Sequence, residues 1–145
     1  MAGPQTPCRR VAILSFVTVA ACLSTTAPLW VVEPGVIFVS GVQANVVTAP
    51  DTVAVGTSFT AVVTTLGSSS CTRAAGAHVG VSGLTATVVP FDSVPGDKHA
   101  TCTSDLRAFP RDVSLTFGAA GQAAIAVAGR SEHGDTTITH PIVVR

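Results

Sequence analysis

The chain has no tyrosine, and among its 145 residues it has one tryptophan, Trp30, and one methionine. Large aromatic surfaces, which many carbohydrate-binding and peptide-binding proteins use for contact area, are therefore mostly unavailable. Charge is also scarce, because Asp, Glu, Lys and Arg together make up 11% of the chain. Stability must therefore come mainly from burial of apolar surface.

Basic residues are too few for a nucleic-acid surface. Removal of Arg9 and Arg10, which lie in the N-terminal segment, reduces the eight basic residues to six against eight acidic ones, a net charge of −2. Such a surface gives little attraction for phosphate groups. The sequence therefore predicts no nucleic-acid partner.

Motifs that define a reaction centre are missing as well. No glycine-rich loop leads from a strand into a helix to bind phosphate, and no GxSxG nucleophile elbow occurs. The nearest match, Gly-Val-Ser-Gly at residues 80–83, has the wrong spacing and no helix after it. The sequence predicts that the protein is not an enzyme and requires no cofactor.

Residues 1–27 have the pattern of an export signal. Arg9 and Arg10 precede an uncharged apolar run at residues 11–21, which ends in the string Val-Ala-Ala-Cys at Cys22. An aliphatic residue, two small residues and a cysteine resemble the bacterial lipobox. The resemblance implies that Cys22 is the lipid-attachment residue.

Two alternatives to the lipoprotein remain open. Cleavage after Ala27 would release a soluble secreted protein. An uncleaved anchor is the other alternative, because residues 11–32 carry no charge and are long enough to cross a hydrocarbon core of about 30 Å. Five Ser or Thr residues and Pro28 within that stretch argue against it. All three alternatives place the rest of the chain outside the cytoplasm, as a membrane-anchored lipoprotein or a secreted protein.

The remainder is rich in Val, Thr, Ala, Gly and Ser, and branching at Cβ makes Val and Thr favour strands. Alternation of apolar and polar residues, with turn signals every 8–14 residues, predicts an all-β fold of about seven short strands. The architecture that this pattern favours is an antiparallel β-sandwich, with a small barrel as the alternative. The predicted strands cover residues 44–48 continued at 52–55, then 58–66, 78–82, 84–91, 112–117, 122–128 and 136–144. Residues 28–43 are predicted to be a linker or a leading edge strand.

Two stretches resemble bacterial Ig-like domains of exported proteins. Residues 50–64, Pro-Asp-Thr-Val-Ala-Val-Gly-Thr-Ser-Phe-Thr-Ala-Val-Val-Thr, combine a proline, a short apolar strand, a glycine turn and a long alternating strand. Residues 120–127 repeat the glycine turn before a strand. The resemblance implies a single Ig-like antiparallel sandwich over residues 44–145, without the core Trp, tyrosine corner and core Cys pair of antibody domains. It implies architecture alone, because fold does not fix function.

Cys71 and Cys102 are the two cysteines of this domain. Outside the cytoplasm two such thiols usually pair, and the predicted connections that carry them lie at the same end of the sandwich. The sequence predicts a disulfide, with a metal or redox pair as the alternative.

Two loops contain a mirrored set of polar residues. Asp97 and His99 lie in one loop, and His133 and Asp135 lie in another at the same predicted end. Two His and two Asp could converge on a divalent metal ion. The alternative is two hydrated loops whose polar residues stabilise turns.

Other polar residues have structural interpretations. Asp105, Arg107, Arg111 and Asp112 are predicted to form an exposed salt-bridge cluster that contributes little stability. His140 is expected at a strand edge, because Pro141 should shift the register, with a buried, hydrogen-bonded histidine as the alternative.

These features predict a non-catalytic module of the cell envelope, lipid-anchored through Cys22. It would engage an unidentified envelope or extracellular protein through its loops or an exposed strand edge. The alternative is an envelope protein that binds a small ligand or a divalent metal through the loops of Asp97, His99, His133 and Asp135.

Overall fold

The computed structural model describes residues 29–145, which form ten β-strands and no helix. The predicted export signal at residues 1–27 and its Cys22 lie outside the described residues. No helix in the described part of the chain is long and apolar enough to cross a membrane. The predicted all-β class is confirmed, with more strands than the seven expected. The strands are β1 Trp30–Pro34, β2 Val36–Phe38, β3 Val47–Thr48, β4 Thr52–Val53, β5 Phe59–Ser69, β6 Arg73–Ser82, β7 Thr85–Pro95, β8 Ser104–Leu115, β9 Gly121–Ser131 and β10 Gly134–Val144.

The strands form two layers around one core. One layer contains β3, β5 and β8, and the other contains β6, β7, β9, β10 and β4 in that order. Strand β2 connects the layers because it pairs with both β5 and β9. The result is a β-sandwich-like fold in which all strands belong to one continuous hydrogen-bonded network.

The core consists of the inward side chains of both layers, as period-two alternation requires. Phe117 is its largest fully buried side chain, and its ring stacks on Phe59 with the ring centres 5.9 Å apart. The buried core residues are Ile37, Val46, Val53, Ala61, Val63, Ala86, Val88, Val113, Leu115, Phe117, Ala123, Ile125, Val127, Ile142 and Val144.

The sheet is mixed, so the prediction of a purely antiparallel sandwich is wrong. Strand β7 runs parallel to β9, and β4 runs parallel to β10. The first pairing follows from the composition of β6, whose Ala and Gly residues bury little and leave it exposed at the edge. Strand β7 instead buries Ala86, Val88 and Pro90 and takes the inner place. Strands β6 and β7 form a hairpin and run in opposite directions. Because β7 and not β6 lies beside β9, the pairing with β9 is parallel.

Strand β8 runs from Ser104 to Leu115, so it begins well before the strand predicted at residues 112–117. Its ladder partner is β5, and β8 lies at an edge of its layer. An edge strand tolerates outward polar side chains, and it tolerates Pro110 because the missing N–H can face away from the partner.

The register of β9 and β10 is continuous from Gly134 to Val144, so the shift predicted at Pro141 is wrong. Pro141 is tolerated because β4 pairs with β10 only at Val143 and Val144. His140 is half-buried, and its Nε2 is enclosed without a hydrogen-bond partner.

Residues 30–38, predicted to be a linker or a leading edge strand, form the N-terminal wedge of β1, Gly35 and β2. Gly35, at the tip of the wedge between β1 and β2, is fixed by two backbone hydrogen bonds. Gly35 N donates to Pro90 O (2.8 Å), and Arg130 N donates to Gly35 O (2.9 Å). A Cβ atom on Gly35 would lie 2.4 Å from Thr65 Cγ2, so the approach requires glycine. With Ile37 only 1% exposed, the wedge is an integral part of the core.

Candidate functional site at the disulfide end

One end of the sandwich contains the disulfide and both loops of the metal hypothesis. It comprises the link from β5 to β6 around Cys71, residues 96–103 between β7 and β8, the Glu132–His133 turn, and Leu29 before β1. We refer to it as the disulfide end. The final residues of β5, β7 and β9 all point to this end of the two layers.

Cys71 and Cys102 form a disulfide with their Cα atoms 5.7 Å apart, which confirms the predicted pairing. Backbone contacts reinforce the link, since Ser70 N donates to Thr103 O and Thr103 N donates to Ser70 Oγ, both at 3.0 Å. The bridge closes a separation of 31 residues. A disulfide of this kind is typical of proteins that fold in an oxidising compartment outside the cytoplasm.

Three residues of the metal hypothesis, Asp97, His99 and His133, take part in hydrogen bonds within their turns. Asp97 Oδ1 accepts a hydrogen bond from the backbone N–H of His99 at 2.8 Å. In the second loop, Ser131 Oγ accepts from His133 N and donates to the carbonyl of Gly134. These are side-chain contacts that stabilise turns.

The two loops share the disulfide end, as predicted, but the N-terminal wedge lies between the strands that precede them. Strand β1 pairs with β7 just before Asp97, and β2 pairs with β9 just before His133. Within residues 29–145, no three His, Cys, Asp or Glu side chains are grouped so that they could hold a metal ion. Asp97, His99, His133 and Asp135 therefore do not form the converged site that the sequence suggested.

The strongest polar cluster lies inside the fold. Arg111 Nη2 contacts Asp92 Oδ1 at 2.6 Å and Thr65 Oγ1 at 2.7 Å, and Thr65 donates to Asp92 at 2.9 Å. The side chains of Arg111 and Asp92 are 9% and 4% exposed. The prediction that Arg111 belongs to an exposed salt-bridge cluster is wrong, whereas Asp105 and Arg107 do form an exposed pair.

The alternation of the two strands contains a signal for this buried pair. Arg111 is two residues before Val113, and Asp92 is two residues after Pro90, so both share the inward face of their strands. When a charged residue occupies an inward position of each of two strands, and the two charges have opposite signs, the pattern indicates an internal ion pair.

Arg111 also connects the two layers on the side where β8 faces β6 and β7. Its Nη1 donates to Gly76 O of β6 at 3.0 Å and to Phe91 O of β7 at 2.6 Å. One side chain of β8 is thereby fixed to two strands of the facing layer. This arrangement is that of a structural clamp.

A second ion pair fastens the N-terminal wedge. Arg130 contacts Glu33 through Nη2 and donates from Nε to Pro34 O at 2.7 Å. Glu33, Arg130 and Asp92 border a cavity of about 60 Å³. That volume suits one or two water molecules and is far below the roughly 300 Å³ of a small-molecule site.

Two larger depressions lie on the surface. One, of about 400 Å³, is lined by seven residues that include Asp135 as the sole charged group. The other, of about 350 Å³, lies under residues 42–46 and is bounded by uncharged side chains. Neither lining contains a Ser, Cys, His or Lys side chain.

Comparisons with protein-family models, with curated proteins and with solved structures find no match for this chain. Its function therefore has to be inferred from its own residues.

Proposed function

We propose that this chain is an extracytoplasmic, lipid-anchored module of the cell envelope that serves an interaction or structural role and does not catalyse a reaction. Its architecture is Ig-like in the broad sense of a bacterial exported β-sandwich. The anchor is Cys22, and the partner is an envelope or extracellular protein.

The observation that carries this proposal is the disulfide between Cys71 and Cys102. It supports folding in an oxidising space, and the sequence pattern before Cys22 supports export to such a space. The buried ion pair of Arg111 and Asp92 supports a structural role for the most prominent charged cluster, because the contacts of Arg111 with Gly76, Phe91 and Asp92 tie β8 to β6 and β7.

Intact mass spectrometry of the full chain, produced in a bacterium that processes lipoproteins, tests the anchor. We expect an N-terminus at Cys22, added acyl chains, and two hydrogens fewer than in the dithiol form. A matched Cys22→Ser variant should lose the acyl chains and keep the disulfide. Recovery of an unprocessed, reduced chain from the cytosol would contradict the proposal.

Crosslinking in intact cells tests the interaction role. A photoreactive residue at exposed Val55 should capture one defined envelope protein. The same residue at exposed Thr87, which lies in the inner strand β7 and away from any strand edge, serves as the surface control. Equal, diffuse labelling from both positions would contradict an interaction module.

A further inference from the structure

The chain enters the sandwich from its disulfide end. Strand β1 runs antiparallel to β7 with Trp30 opposite Pro95, so Leu29 lies where β7 ends. Gly96 N donates to Leu29 O at 2.6 Å and fixes this point to the loop after β7. The segment that leads back toward Cys22 therefore leaves from the end that carries the disulfide.

The same end holds most of the exposed large apolar side chains. Of seven such residues in the described part of the chain, five lie near strand termini at this end. The remaining two, Val55 and Val81, lie at the opposite end beside Arg145 and the β6–β7 turn. The five are Leu29 (74% exposed), Val31 (43%), Val32 (60%), Phe38 (47%) and Leu106 (54%).

Charge at this end is nearly balanced. Apart from the ion pairs Asp105–Arg107 and Glu33–Arg130, the exposed cations Arg73 and Lys98 are accompanied by Asp97, Glu132 and Asp135, a net charge of −1. Electrostatic attraction to anionic lipid is therefore not the main force that would bring this end to a membrane, and electrostatic repulsion would not prevent its approach. Apolar side chains and the tether would provide the orientation.

The tether is short relative to the sandwich. The seven positions from Cys22 to Leu29 reach at most about 25 Å when fully extended. Strands of 11 residues such as β7 and β9 are about 36 Å long. With its strands perpendicular to the membrane, a lipid-anchored domain could not place the end opposite the disulfide on the bilayer, because the tether would have to be longer than the sandwich.

We propose that the disulfide end faces the lipid bilayer to which the chain is anchored and inserts its exposed apolar side chains at the headgroup level. This inference rests on the proposed anchorage. The opposite end, with the β6–β7 turn and residues 116–120, is then the surface presented to other proteins. Partner binding through the loops of the disulfide end, which the sequence analysis offered beside binding at an exposed strand edge, is correspondingly disfavoured.

Trp30 provides a direct test because it is the only tryptophan of the chain and lies at the disulfide end against Arg73, whose Cζ is 4.3 Å from the ring centre. The full chain, purified from membranes, would be reconstituted into vesicles of zwitterionic lipid with and without brominated acyl chains. Bromine quenches tryptophan at short range, so we expect a loss of Trp30 emission in the brominated vesicles.

A matched variant moves the probe to the other end. In Trp30→Phe/Val55→Trp the single tryptophan replaces a side chain that is already 42% exposed. We expect its emission to be the same in both kinds of vesicle. Equal quenching of the two probes, or quenching of the relocated probe alone, would overturn the orientation.

Flotation of the same vesicles separates the two proposals. Protein that floats with the vesicles while Trp30 stays unquenched refutes the orientation and leaves the anchorage intact. Protein that does not float refutes the anchorage, and the orientation with it.

Discussion

The buried pair of Arg111 and Asp92 allows a sharp prediction about stability. Arg111→Met keeps the apolar stem and removes the guanidinium, which leaves a carboxylate that is 4% exposed without its counter-charge. Breaking one partner of a buried ion pair costs about 3–5 kcal/mol. Small domains have about 5–15 kcal/mol of stability in total, so this loss is a large fraction of it.

Urea unfolding of the oxidised protein, followed by tryptophan fluorescence, measures the effect. With a slope of about 2 kcal/mol per M, we expect the midpoint to fall by about 2 M. The double variant Asp92→Asn/Arg111→Met should be more stable than Arg111→Met alone, because the uncompensated charge is gone while the contact to Thr65 can remain.

Arg107→Met is the matched control, since it is the same substitution in the same strand at a side chain that is 59% exposed. Its exposed pair with Asp105 should contribute less than about 1 kcal/mol. Equal destabilisation by Arg107→Met and Arg111→Met would refute the assignment of Arg111 as the clamp between the layers.

Three further substitutions probe other parts of the fold by the same unfolding assay. Gly35→Ala should lower the free energy of unfolding by about 1–3 kcal/mol, because the added Cβ would overlap two side chains beside Gly35. Gly80 has open space around it, so the control Gly80→Ala should change stability by less than about 0.5 kcal/mol. Similar effects at both sites would contradict the tight approach of the N-terminal wedge to the core. Replacement of both Cys71 and Cys102 by serine should cost about 3–4 kcal/mol by loop closure, and an unchanged midpoint would show that the bridge does not constrain the chain. Phe117→Ala should cost about 3–5 kcal/mol because the ring is 0% exposed, and a loss below 1 kcal/mol would place the ring outside the core.

Several features of the fold could be predicted because they depend on local patterns. Alternation at residues 58–66 and 122–128 predicted two strands, and the structure has β5 at Phe59–Ser69 and β9 at Gly121–Ser131, with alternating burial over most of each strand. The disulfide of Cys71 and Cys102 followed from strand order, because the connections that carry the two cysteines lie at one end of the two layers.

Other features failed because they depend on competition between distant segments. The N-terminal wedge could not be recognised from residues 28–43, since its strands are short and gain stability only by filling a gap between β7 and β9. The same insertion separates the strand ends that carry Asp97 and His133, which explains why the described residues do not bring the side chains of the two loops into one group.

By itself, the sequence determined which side chains face inward, because the strand period is two and Val, Thr and Ala alternate along the chain. The same alternation holds Asp92 and Arg111 on the inward faces of β7 and β8, although Arg111 was predicted to be exposed. Only the tertiary structure decided which strand lies beside β9, since β6 and β7 competed for that place and the one with more apolar surface to bury took it. Pairing partners are selected by the burial of the whole assembly, and no window of local sequence contains that information.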